Sequence, residues 1–266
     1  MKNKKIKLIL AIIFLIILIF LVKNNVKMTK EEPVKAKESS KVTKLNVGSN
    51  LVETLYNSLN LKLINNNCNK EDKCLINEGY NFLYFTEEKE KVLSDDEKMY
   101  LAINSLYKKN ALENVSQEDK TSYYIDNTVM DNELINLFGN KDLSNFNYTF
   151  KPDPNCGIIE YIYSKDRHEI NTNQCISSNE KALTKIEDAY KEEDNIYIKM
   201  KVFKYEYKDD NIVIIKTIHG DEIDSYEMTE SSKDMSEFFV DDRVDTYDFE
   251  FKIIDGNYYL QRILHS

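Results

Sequence analysis

The chain has 266 residues, 42% hydrophobic and 31% charged, with 6 Gly and 3 Pro. That composition excludes collagen-like and Pro/Gly-rich disordered chains and supplies enough apolar material for a core. The 36 basic and 46 acidic residues leave a net charge of −10, the wrong sign for a nucleic-acid binder.

The first feature along the chain is an unbroken run of 15 apolar residues at positions 8–22. At 1.5 Å per residue it spans about 22 Å. Ile6 and the long stems of Lys7 and Lys23 extend its reach toward the roughly 30 Å hydrocarbon core. Leu8, Ile12, Phe14, Ile17, Phe20 and Val22 are therefore expected to anchor the chain in a membrane as a single helix. Lys2, Lys4, Lys5 and Lys7 precede the run and place the N-terminus in the cytoplasm; Lys23, Lys27 and Lys30 weaken that signal without reversing it. The competing reading is a cleaved signal peptide, which needs small residues just beyond the run. The chain instead reads Lys23-Asn24-Asn25-Val26-Lys27-Met28, so an uncleaved anchor at the cell membrane is expected. The domain that follows would then lie outside the cytoplasm, with too short a stub inside to carry a signal.

Residues 23–44 are polar, Lys-rich and without apolar periodicity, the composition of a tether. Positions 1–44 hold 11 Lys and 3 Glu, a net of +8, and the remainder a net of −18. A basic stalk suits an anionic lipid surface, whereas the acidic body is repelled from it.

Residues 45–145 read as the helical part of the ectodomain. Leu51, Val52, Leu55, Tyr56, Leu59 and Leu63 recur at helical spacing, which predicts a helix over 49–63. Ser94-Asp95-Asp96-Glu97 fits the capping box, with Met99, Ile103, Leu106 and Tyr107 along one face of the helix behind it. A third helix is expected over 128–138, stopped by Gly139.

Residues 146–266 read as antiparallel sheet, with strands over 157–163, 195–207 and 212–218. Tyr247, Phe249, Phe251 and Ile253 alternate with Asp248, Glu250 and Lys252, a strand with one wet face. Asp255-Gly256 offers a hairpin turn, and 258–264 the returning partner. Residues 180–191 fit a helix through Ala182, Leu183, Ile186, Ala189 and Tyr190. They equally fit a strand turning at Glu192-Glu193-Asp194-Asn195. Helices followed by antiparallel sheet define an α+β chain.

Four cysteines in an outside-facing domain invite disulfides. If Lys165-Asp166 forms a two-residue turn, paired positions sum to 331 and Cys156 faces Cys175. Cys68 and Cys74 would close a small loop by themselves. Reduced, buried thiols are the alternative, and neither pair has the spacing of a structural zinc site.

Catalytic signatures are missing: the chain has no Gly-rich phosphate loop, GxSxG elbow, SxxK or HExxH. His168, His219 and His265 are isolated in sequence, and His168 is expected in a solvated loop. Asn67, Asn69, Glu71 and Glu78 fall on positions of a calcium-loop template, but Asp72 stands where the sharp turn needs Gly. Asp209-Asp210, Asp221-Glu222 and Asp241-Asp242 read as charged turns. Accordingly no catalytic, cofactor-binding or metal residues are expected. Tyr197, Tyr205, Tyr207, Tyr258 and Tyr259 offer either a stacking face for a partner or ordinary cross-strand packing.

The short basic start with one anchor, Leu134-Ile135-Asn136-Leu137-Phe138-Gly139, Cys156-Gly157 and the terminal hairpin over 247–262 carry a resemblance. Together they resemble single-pass, membrane-anchored extracytoplasmic proteins of low-GC Gram-positive bacteria, a group with no assigned activity. Helices packed on a curved antiparallel sheet also resemble the cystatin/NTF2-like class in architecture alone, which implies no function. The resulting expectation is a tethered, non-catalytic binding or assembly module that meets the membrane and a protein or cell-wall partner. The alternative is an extracytoplasmic hydrolase with an unrecognised Asp/Glu site.

Overall fold

Ser49 caps the helix α1 (Asn50–Ser58), its side chain accepting from the Val52 N–H. This helix stops short of the expected residue 63 because Asn60 adopts a left-handed φ of 50°, a conformation Asn tolerates better than most residues. Beyond it β2 (Lys62–Leu63) pairs with β3 (Gly79–Tyr80). The capping box forms at α2 (Asp95–Lys108), where the Glu97 carboxylate accepts from the Ser94 N–H at 2.9 Å and its hydroxyl at 3.0 Å. Helix α3 (Asn127–Phe138) ends as expected at Gly139, whose φ is 69° and whose N–H reaches Ile135 O at 2.9 Å.

This computed structural model describes residues 42–63, 79–80, 82–115, 121–151, 158–172, 180–208, 212–227 and 234–266, all within the unit Val42–Ser266. Leu8, Ile12, Phe14, Ile17, Phe20 and Val22 lie outside the described residues. So do Cys68, Cys74, Cys156 and Cys175, the calcium-loop positions 67–78, and Asp209-Asp210. Among the described residues no helix is long and apolar enough to cross a membrane.

The chain is mixed α+β, and its two larger sheets are antiparallel throughout the paired strands. A five-stranded sheet runs in the order β5 (Glu113–Asn114), β6 (Thr121–Asp126), β9 (Arg167–Thr172), β8 (Ile159–Ile162), β7 (Tyr148–Phe150). An eight-stranded sheet runs β1 (Val42–Lys44), β10 (Glu180–Glu192), β11 (Asn195–Lys208), β14 (Asp245–Ile254), β15 (Asn257–His265), β4 (Glu90–Lys91). The far half of β11 pairs instead with β12 (Ile212–Lys216), which carries β13 (Glu222–Glu227).

Several expectations are corrected here. Strands β5 and β6 pair into one sheet with β7–β9, so the five-stranded sheet crosses the boundary expected at 145/146. The last residues assigned to the tether, Val42–Lys44, are an edge strand on β10. Residues 180–191, left open between helix and strand, take the strand alternative and turn through Glu193-Asp194. Glu250 is not on a wet face: it is 6% exposed, accepting from Arg262 Nε at 2.6 Å and Asn195 Nδ2 at 3.0 Å.

Three cores result. On one face of the large sheet Val52 and Leu55 of α1 and Leu59 just after it pack with Ile196, Ile198, Met200, Tyr247, Phe249 and Phe251. The small sheet and helices α2 and α3 enclose Met99, Ile103, Leu106, Met130, Leu134, Ile159 and Tyr161. Phe203, one position on from the inward Val202, points the other way into a third cluster with Val213, Ile215, Phe238 and Phe239. Helix α2 serves two of these cores: Leu101 enters the first while its neighbours fill the second.

Two outcomes follow. Leu101→Ala should destabilise the fold by about 3 kcal/mol in chemical denaturation, the usual cost of truncating a buried Leu. In the β8–β9 hairpin Ile159 pairs with Thr172 and Ile162 with Glu169, positions that sum to 331, the register a Cys156–Cys175 bridge requires. A non-reducing digest should therefore yield a peptide linking these two cysteines, and full alkylation without reductant would dismiss the bridge.

Candidate functional site

The turn joining β12 to β13 is tied by its own residues. Thr217 Oγ1 accepts from the Gly220 and Asp221 N–H groups at 3.2 and 3.1 Å, and Gly220 takes a φ of 111°. The adjacent Ile218 N–H donates to Asp245 Oδ2 at 2.7 Å, which pins the turn to the first residue of β14. His219 is thereby brought to the sheet end where β14 begins and β15 finishes. There Tyr247 and His265 are paired across the strands, their rings stacked with centroids 4.6 Å apart. The segment before β4 closes the third side: the His265 N–H donates to Lys89 O at 3.1 Å.

His219, Asp245 and His265 converge here, each offering a donor atom within 4.8 Å of the others. Their side chains are 21%, 13% and 23% exposed, partly desolvated yet open to solvent. Asp245 Oδ1 lies 3.6 Å from His265 Nε2, beyond hydrogen-bond range. Glu87 Oε1 lies 3.9 Å from His219 Nδ1. Tyr247, fully buried, is the hub: its hydroxyl donates to Thr86 O at 3.2 Å and sits 3.0 Å from His219 Nε2. Burial, with Asp245 and Glu87 adding to it, pushes the Tyr247 phenol well above its ordinary pKa, so it stays protonated. With the phenol proton on Thr86 O, its oxygen accepts from His219 Nε2–H. That tautomer leaves Nδ1 with a lone pair. Two imidazoles and a carboxylate are a donor set able to hold a metal ion or relay a proton.

These residues were not expected to meet. His219 and His265 are 46 positions apart with no shared motif, and the signal that existed was weak: a polar turn and a chain end on strands of one sheet. His168 is also corrected: it lies on β9, 1% exposed, rather than in a solvated loop. Its ring sits between Tyr161 and Tyr163, at 5.0 and 5.5 Å. Burial pushes its pKa down against the opposing pull of Asp131 and Asp126.

The other sequence candidates are dispersed. Asp241 is gripped by Arg243, with Nε at 3.0 Å and Nη2 at 2.8 Å, which holds its carboxyl at about 2. Among the described residues Asp221-Glu222 and Asp241-Asp242 join no cluster of three metal-capable side chains. Tyr197 stacks on Tyr190, and Tyr259 lies 3.1 Å from where a Gly139 Cβ would stand; both tyrosines are buried. Tyr207 is 41% exposed. A cleft lined by Leu83, Asp96, Glu97, Tyr100, Phe150 and Lys151 encloses about 250 Å³, below the range of most small-molecule sites.

No protein-family model, curated protein or solved structure matches the chain.

Tyr247→Phe removes the hydroxyl that joins His219 to Thr86 and should cost about 1–2 kcal/mol, since a buried carbonyl loses its donor. Urea denaturation against the unaltered chain measures it, and an unchanged midpoint would show the hydroxyl idle.

Proposed function

We propose that the protein is a membrane-tethered extracytoplasmic binding module without catalytic activity of its own, held by one N-terminal helix with its N-terminus in the cytoplasm. The observation that carries this reading is the apolar run at 8–22 between Lys-rich flanks, followed by a polar tether. Its likeness to membrane-anchored extracytoplasmic proteins of low-GC Gram-positive bacteria belongs to the same proposal. So does the cystatin/NTF2-like architecture, which is supported by a helix lying on a long antiparallel sheet.

Of the two surfaces that could meet a protein or wall partner, the edge is favoured over the tyrosine face. Tyr197 and Tyr259 are consumed by packing. Strand β1 is exposed along its three residues and, among the described residues, stands at the end of its sheet. An open edge can accept a partner strand through its backbone groups.

Protease added to intact cells should digest the domain and leave a short membrane-bound N-terminal fragment. Recovery of the protein from the medium with a new N-terminus after Val22 would overturn the tether.

A further inference from the structure

We propose that His219, Asp245 and His265 form a binding site for a divalent transition-metal ion of the zinc class. The inference rests on the geometry of the cluster and stands whether or not the chain is tethered. Three facts carry it. First, the donors are nitrogen and carboxylate oxygen, a set that suits zinc and its neighbours; calcium and magnesium prefer oxygen alone. Second, the separation of Asp245 Oδ1 and His265 Nε2, 3.6 Å, is too long for a good hydrogen bond. It is close to the roughly 3.3 Å edge of a tetrahedron whose metal–ligand bonds are about 2.0–2.1 Å.

Third, each ligand is already held from behind. The second oxygen of Asp245 is occupied by the Ile218 N–H, leaving Oδ1 for the metal side. The Tyr247 ring supports His265 face to face, and the Tyr247 hydroxyl takes the Nε2 side of His219. Such outer partners fix ring orientation and tautomer at metal sites. With donors up to 4.8 Å apart, closure needs an approach of up to about 1.5 Å, and His219 is carried on a surface turn. Glu87, 81% exposed on its side chain and 3.9 Å from His219 Nδ1, is placed to complete a fourth position; water is the alternative there.

The test uses the purified full chain, stripped with chelator and dialysed against zinc. One equivalent should remain bound, and Co(II) in its place should give the visible absorption of a four- or five-coordinate nitrogen–oxygen site. His219→Ala and His265→Ala should each weaken binding at least a hundredfold, while Tyr247→Phe should weaken it about 10–100-fold. Far-UV circular dichroism without metal checks that each variant is folded. A zinc-dependent rise in melting temperature of the unaltered chain, absent after His219→Ala, gives a second readout. Zinc retained undiminished by the folded His219→Ala and His265→Ala variants, no zinc on the folded unaltered chain, or a thiolate-to-cobalt charge-transfer band assigning the ion to the cysteines would each overturn the site.

Discussion

One helix is buried on every side, and the rest of the molecule is arranged around that constraint. All of Met99, Tyr100, Leu101, Ala102, Ile103, Asn104, Ser105 and Leu106 are buried, so α2 has no solvent face through its middle two turns. An ordinary surface helix hides one stripe against one sheet. Here Leu101 belongs to the core of the large sheet and its neighbours to that of the small one. The helix start is fixed as firmly. Glu97 accepts from Ser94 and also from Lys91 Nζ at 2.7 Å, and the same ammonium donates to Leu83 O. Because Lys91 is in β4, which pairs with β15, the capping of α2 and the edge of the large sheet are parts of one arrangement.

That arrangement reaches the histidine cluster. The segment entering β4 carries Thr86, Glu87 and Lys89, and its path over the end of β14 and β15 delivers a carbonyl to Tyr247 and another to the His265 N–H. Phe85 packs edge-on to Tyr247 at 5.0 Å. Tyr247 is thus at once the last large side chain of a core and the first polar group of the site. The chemistry sits at a seam, where apolar packing ends and partial hydration begins. Glu250 shows the opposite solution three residues on: a buried carboxylate satisfied by Arg262 and Asn195, its acceptor capacity spent on structure.

The comparison of residues with structure is most instructive at β10. Ala182, Ile186 and Ala189 are spaced four and three apart, the rhythm of a helix, yet all three face one core from a strand. The register shifts between Ile186 and Asp188, so one extra residue changes the phase of the alternation and counterfeits a helical period. A bulge of this kind is set by the partner strand β11 and leaves no local mark. Likewise Glu250 looks like part of the wet half of an alternating strand until Arg262 and Asn195 arrive from neighbours.

Features governed by hydrogen bonds and φ values within a few residues could be read directly: the Ser94–Glu97 cap, the left-handed Gly139, the Asp255-Gly256 turn, and the register of the β8–β9 hairpin. In each, the groups that interact are separated by at most a short loop, so local chemistry is sufficient. Tertiary pairing alone decided that strands on both sides of residue 145 share a sheet, that α2 is buried all round, and that His219, Asp245 and His265 converge. Those outcomes depend on contacts across tens of residues, where the favourable energy comes from burying one surface against another and no single segment carries a record of its partner.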